Sequence, residues 1–208
     1  MQPGPWRPVV SRPYKPRKLG KTLAPALGSI LSGMTAHSPA ADDLLAFMRR
    51  LRAIKEYTPE AIDADVLTDI LNVGRWTGTG GNRQPTDVLV VTDRSVLQKF
   101  GDWGARPAAT AGVVLLLVSQ SEANAFDEGR MAERLALAAA AHGLGSTIAT
   151  LKNDGPDQAK KLLGIPEDRR ARALVAIGHI DQAARAALPK NPQGGRKPLD
   201  EYAHYERF

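Results

Sequence analysis

Residues 78–85 read Gly-Thr-Gly-Gly-Asn-Arg-Gln-Pro and set Asn82 and Gln84 among three glycines. Both side chains donate and accept hydrogen bonds, and glycine lets a backbone approach a ligand closely. Such a loop can present paired amides to a flat, polar heterocycle. The same composition also makes an ordinary turn, because Gly and Asn are frequent turn residues. A phosphate cradle is excluded by spacing. The dinucleotide fingerprint needs a glycine where Arg83 stands, and the P-loop needs Gly-Lys-Ser/Thr where this chain has Gln84-Pro85. Both motifs also follow a strand and precede a helix, the reverse of the order expected here.

The elements that must position this loop are legible from periodicity. Over residues 42–56, Leu44, Leu45, Phe47, Met48 and Leu51 follow a helical apolar face, with Asp42 or Asp43 at the start and Thr58-Pro59 as the stop. A second helix is expected over 63–76, from Val66, Leu67, Ile70, Leu71 and Val73. The continuous apolar runs at 88–91 and 112–118 read as buried strands, with a short helix at 95–100 between them. The helix expected over 128–142 becomes apolar all round at its four consecutive alanines, which suits the centre of a core or a subunit interface. A strand at 147–151 comes next. Pro156 and Gly164 then bracket a helix with Ala159, Leu162 and Leu163 inward, followed by a strand at 173–177 and an irregular tail from Ile180. Trp76 and Trp103 read as core or ring-packing residues, and His142 as a helix-end residue. The pattern predicts an α+β or mixed-sheet layered domain.

Composition removes several classes of function. The chain has 208 residues and no cysteine, and His37, His142, His179 and His204 share no ligand spacing, so no metal site is expected. The net charge of +6 equals the six cations of residues 1–41, which contain no acid. The rest is balanced, and no nucleic-acid partner is expected. Residues 1–41 read as a basic, disordered extension, or as the product of a start upstream of Met34 or Met48, with a targeting segment ranked behind; residues 42–208 form the domain. No run approaches the ~18 apolar residues of a membrane span. A soluble, cytoplasmic protein is expected.

Taken in order, Arg52-Ala53-Ile54-Lys55-Glu56-Tyr57, the loop at 78–85, the strand at 88–91, His142-Gly143-Leu144-Gly145-Ser146, Leu163-Gly164-Ile165-Pro166, Val175-Ala176-Ile177-Gly178 and Gly194-Gly195-Arg196-Lys197-Pro198 resemble the FMN-dependent nitroreductase family from about residue 44 to 208. The resemblance implies an α+β fold with a mixed central sheet surrounded by helices, a homodimer with an extended C-terminal tail, and FMN at the dimer interface. It also implies ping-pong transfer from NADH or NADPH to a small-molecule acceptor such as a nitroaromatic or quinone. A flavin-sequestering protein without turnover, and a flavin-dependent dehydrogenase or dehalogenase on the same fold, are the alternatives.

The resemblance also distributes roles. Arg52, Ala53 and Lys55 fall on the first motif, where Leu51 replaces a common arginine and Ala53 a common serine. Thr79, Gly80, Asn82 and Gln84 form the polar wall, Ser146, Ile148 and Ala149 the backbone beside the ring, and Arg196 and Lys197 the C-terminal basic pair. A phosphate suits guanidinium and ammonium donors, and a cation such as Lys55 stabilises charge on reduced flavin. No protein acid, base or nucleophile is expected to be catalytic. On the residues alone, Arg52 and Lys55 also read as solvated charges.

Overall fold

The computed structural model describes residues 39–189 and 195–207, so the expected basic extension lies outside the described residues as far as residue 38. The chain divides between Arg49 and Arg50 into two units. The described part of the first is helix α1 (Pro39–Arg50), which carries Asp42 in its first turn, a charge that complements the helix dipole. The helix expected over 42–56 therefore ends at Arg50. Residues after it run extended because they pair with the sheet: Ile54 N donates to Ser146 O at 2.8 Å, and Tyr57 forms a bridge with Ile180.

The second unit is built on strands β1 (Thr86–Val91), β2 (Val113–Ser119), β3 (Gly145–Thr150) and β4 (Ala173–Gly178), in the order β1-β2-β4-β3. The α+β class is as expected. All three pairings among these four strands are antiparallel, so the parallel pairing that would make the sheet mixed is not among them. β2 is buried along its whole length, because helices cover both of its faces. β1 lies at an edge, which leaves Val88, Leu89 and Val90 partly exposed rather than buried as the apolar run suggested, while Val91 is buried.

Two cores follow from the alternation of side chains along the strands. On one face, Val113, Leu115 and Leu117 of β2 and Val175 and Ile177 of β4 meet α2 (Ala64–Arg75), through Ile70, and α4 (Ala125–Ala141), through Met131, Ala132, Leu135, Ala138 and Ala139. A Cβ on Gly74 would lie 2.5 Å from Leu135 Cδ2, so this glycine lets α2 and α4 approach each other. On the other face, Val114, Leu116, Leu174 and Ala176 meet Leu97 and Phe100 of α3 (Arg94–Asp102), Ala108 of the 3-10 turn Arg106–Thr110, and Ala159 of α5 (Gly155–Leu163). Truncating a fully buried leucine such as Leu116 to alanine costs about 2–5 kcal/mol.

Two side chains depart from expectation. Leu162 is exposed, while Ala159 and Leu163 face inward. Trp76 is 73% exposed and is not a core residue, whereas Trp103 packs against Phe100 with ring centroids 5.9 Å apart. Among its described residues the tail contains two short helices, α6 (Gln182–Ala186) and α7 (Leu199–Tyr202).

Candidate functional site

β3 is the other edge of the sheet, and the segment before it comes from the first motif. Ser146 O faces away from β4, since it accepts from Ile54 N. Alternation in an antiparallel ladder turns the backbone groups of Ile148 and Thr150 to the same open edge. The approach of the motif depends on two glycines paired across β3 and β4, Gly145 and Gly178. A Cβ on Gly145 would come within 2.7 Å of Ile54 Cγ2, and one on Gly178 within 2.9 Å of Tyr57 Cβ. The buried Tyr57 hydroxyl donates to Ile54 O and lies 3.1 Å from Ala176 O, which ties the motif to β4. Burial, with a smaller push from the Glu56 carboxylate, raises its pKa well above the ordinary tyrosine value.

A hollow of about 790 Å³ opens along this edge, lined by Lys55, Asp102, Arg106, Thr147, Ile148, Ala149, Thr150 and Lys152, among others. Arg106 and Lys152 lacked any periodic signal in the sequence; the one hint was that Arg106 is the lone charge in the apolar stretch 105–118. Its turn is held by Arg94, which donates to Ala109 O at 2.7 Å and to Ala111 O at 2.5 Å. α3 in turn is capped by Asp93, which accepts from Ser95 N and Val96 N. The Ser95 hydroxyl and these two amides hold the Asp93 carboxyl below its usual range. A second hollow, of about 170 Å³, shares Thr147 and Ile148 and adds Leu51, Arg52, Ala53, Glu133, Ala136 and Ser146. Two of the four expected groups, the first motif and β3, are thus brought together.

The glycine loop stands apart. Thr79 and Gln84 line a different hollow of about 360 Å³, with Arg75, Thr77, Thr86, Asp87, Asp127 and an apolar floor of Leu71, Val88 and Met131. Asn82 and Gln84 both adopt left-handed backbone, at φ 54° and 48°, beside Gly81 at 61°. Non-glycine residues there cost on the order of 1–3 kcal/mol each. Gly80 and Asn82 are exposed in a short 3-10 turn. Arg196 and Lys197 are also exposed, line none of these three hollows, and Arg196 Nη1 donates to the neighbouring Gly195 O at 3.0 Å. Within a single chain the expected groups therefore do not converge on one hollow.

His142 and His179 make structural contacts. His142 follows the C-terminus of α4 and its Nε2 lies 2.8 Å from Asp69 Oδ2; His179 Nε2 lies 3.3 Å from Ala61 O. Among the described residues no cluster of His, Cys, Asp or Glu is placed to hold a metal ion, and no helix is long and apolar enough to cross a membrane.

The layered α+β fold is shared with known proteins. The nitroreductase family model matches residues 48–125. A protein of Archaeoglobus fulgidus, whose name couples NADH dehydrogenase with NAD(P)H nitroreductase, is 26% identical over 149 residues, which span 66% of this chain and 86% of that one. An FMN-dependent nitroreductase of Clostridium difficile superposes with a TM-score of 0.66 at 18% identity, covering 79% of this chain and 99% of its own. Nitroreductase A of Vibrio parahaemolyticus gives 0.65 at 22% identity, over 79% of this chain and 76% of its own. Residues 48–125 thus resemble the nitroreductase family, and the fold is the one these nitroreductases share.

Proposed function

We propose that the protein is an FMN-dependent NAD(P)H oxidoreductase acting as a homodimer, in which each flavin lies along the open edge of β3. The observation that carries this reading is the hollow of about 790 Å³ between that edge and the cations Lys55, Arg106 and Lys152. Its size suits a cofactor, since ligand sites run to roughly 300–1,000 Å³. Its chemistry suits one with an anionic reduced form, because fixed cations stabilise developing negative charge. When bound, FMN would supply the hydride chemistry, accepting from the nicotinamide and passing to the acceptor in alternate half-reactions.

The chain's own residues do the rest. Lys55 and Arg106 would oppose the negative charge of a reduced flavin held in this hollow, and the Ile148 amide on the open edge would donate to it. Arg52, beside the smaller hollow, takes the phosphate, with Arg196 and Lys197 closing from the tail. Leu51 and Ala53 supply neither a charge nor a hydroxyl to that grip. Thr79, Gly80, Asn82 and Gln84 cannot reach the same hollow within one chain, so the reading places them on the flavin of a second copy. The exposed rings of Trp76 and Phe126, 73% and 77% accessible, flank that loop and support a covered interface there. Residues 42–208 form the flavin-binding domain in this reading, and residues 1–41 lie outside it. The acceptor is a nitroaromatic, quinone or similar small molecule.

The test is a visible spectrum of the purified chain with FMN, before and after NADH or NADPH. Bound flavin that bleaches is expected; a protein that neither retains FMN nor bleaches it ends the proposal. Arg52→Ala and Arg196→Ala should each release flavin more readily, and equal retention in both would remove the phosphate assignment.

A further inference from the structure

The strained glycine loop holds little of its own weight. Every residue from 78 to 84 is exposed except the half-buried Thr79. Its internal hydrogen bonds are short-range: Asn82 N to Thr79 O at 3.0 Å, Arg83 N to Gly80 O at 3.3 Å, and Gln84 N to Thr79 Oγ1 at 3.0 Å. Left-handed backbone at Asn82 and Gln84 persists only where the surroundings impose it.

What imposes it is α4. Ahead of the loop, Arg134 Nη1 donates to Trp76 O at 3.1 Å and Arg130 Nη1 to Gly78 O at 2.5 Å. Gly78 permits that approach, since a Cβ there would lie 3.3 Å from Arg130 Nη2. The Arg130 guanidinium also sits 6.0 Å from the Phe126 ring centroid and 3.8 Å from Asp127 Oδ1, contacts that fix its direction. Behind the loop, Gln120 N donates to Pro85 O at 3.1 Å, and the Thr86 and Ser119 hydroxyls lie 2.8 Å apart. Ser119 hydrogen bonds in turn to the buried Glu128 carboxylate, which Arg170 Nε meets at 3.0 Å. Glu128, Arg130 and Arg134 all belong to α4, so one helix grips both ends of the loop.

We propose that α4 is the positioning element of the glycine loop, and that Arg130 and Glu128 are positioning residues that hold it in the conformation presenting Asn82 and Gln84 to the flavin. The proposal rests on the flavoprotein reading above. Arg130 acts directly on the Gly78 carbonyl, and Glu128 acts through Ser119 and Thr86.

Hydrogen–deuterium exchange on the full chain without flavin, alongside FMN titration, tests it. Arg130→Gln and Ser119→Ala should speed exchange of the 78–86 amides by about tenfold or more, leaving β2 and β4 protected, because only local opening is released. Arg130→Lys, which retains a cation able to donate to Gly78 O, should restore most of the protection. FMN affinity should fall and recover in the same order. Unchanged loop exchange in both variants overturns the proposal, as does a rise spread evenly over β2 and β4, which would mark a general loss of stability. If either variant does not fold, Gly78→Ala, which crowds the same contact from the other side, must loosen the loop for the proposal to stand. A parent protein that binds no FMN removes the flavoprotein reading, while the exchange pattern still decides whether α4 clamps the loop.

Discussion

At the scale of single residues, the most consequential polar contact is the one between Glu128 and Arg170. Glu128 is 2% exposed, and burial raises its pKa above the ordinary value against the Ser119 hydrogen bond. Arg170 Nε sits 3.0 Å from both carboxylate oxygens, and its Nη1 pairs with Glu122 at the surface. Removing one partner of such a pair strands a buried charge, at about 3–5 kcal/mol, whereas replacing both with apolar groups is often nearly neutral. Arg170→Met should therefore lower the melting temperature clearly, and Glu128→Leu combined with Arg170→Met should recover much of it. Calorimetry of the two variants decides this, and a double variant worse than the single one would contradict it.

At the scale of elements, the first motif is held by the paired glycines of β3 and β4. Alanine at Gly178 would bring a Cβ to 2.9 Å from Tyr57 Cβ, a root atom that cannot swing away. Overpacking of this kind costs about 1–3 kcal/mol. Gly178→Ala should thus reduce stability, and it should also displace Ile54 from Ser146, an effect visible as faster exchange of the Ile54 amide.

The start of α3 gives a pH test. Because the folded Asp93 carboxyl titrates below its ordinary value of 3.8, its stabilising effect is present above that value and lost as pH falls through the lowered one. Asp93→Ala should melt below the parent at neutral pH, and the gap should close as the pH is taken below 3.8.

Element boundaries show where local pattern stops being informative. Helix α2 and strands β2 and β4 fell close to expectation, since their periodicity and burial are strong. The helix expected over 42–56 ended early because tertiary pairing with β3 outweighs the local preference of residues 51–56.

At the scale of the whole molecule, one chain offers a cationic edge hollow and a separate polar loop, and the proposed flavin site needs both. Dilution should then couple two losses. As sedimentation velocity reports the dimer dissociating, bound FMN should be released over the same concentration range, because half of its contacts leave with the partner. Flavin retained by an isolated monomer would refute the two-copy arrangement.

The sequence by itself determined the α+β class, most helices and strands, the absence of a cysteine-based site, and the ordered motifs that resemble the nitroreductases. These are legible because period, turn residues and short motifs are local properties of the chain. Only the tertiary structure decided that Arg106 and Lys152 join Lys55, that Trp76 faces outward, and that the glycine loop and the β3 edge lie in separate hollows. Those facts depend on which strand ends the sheet and which faces the helices cover. Such long-range packing leaves no periodic trace in the residues it brings together.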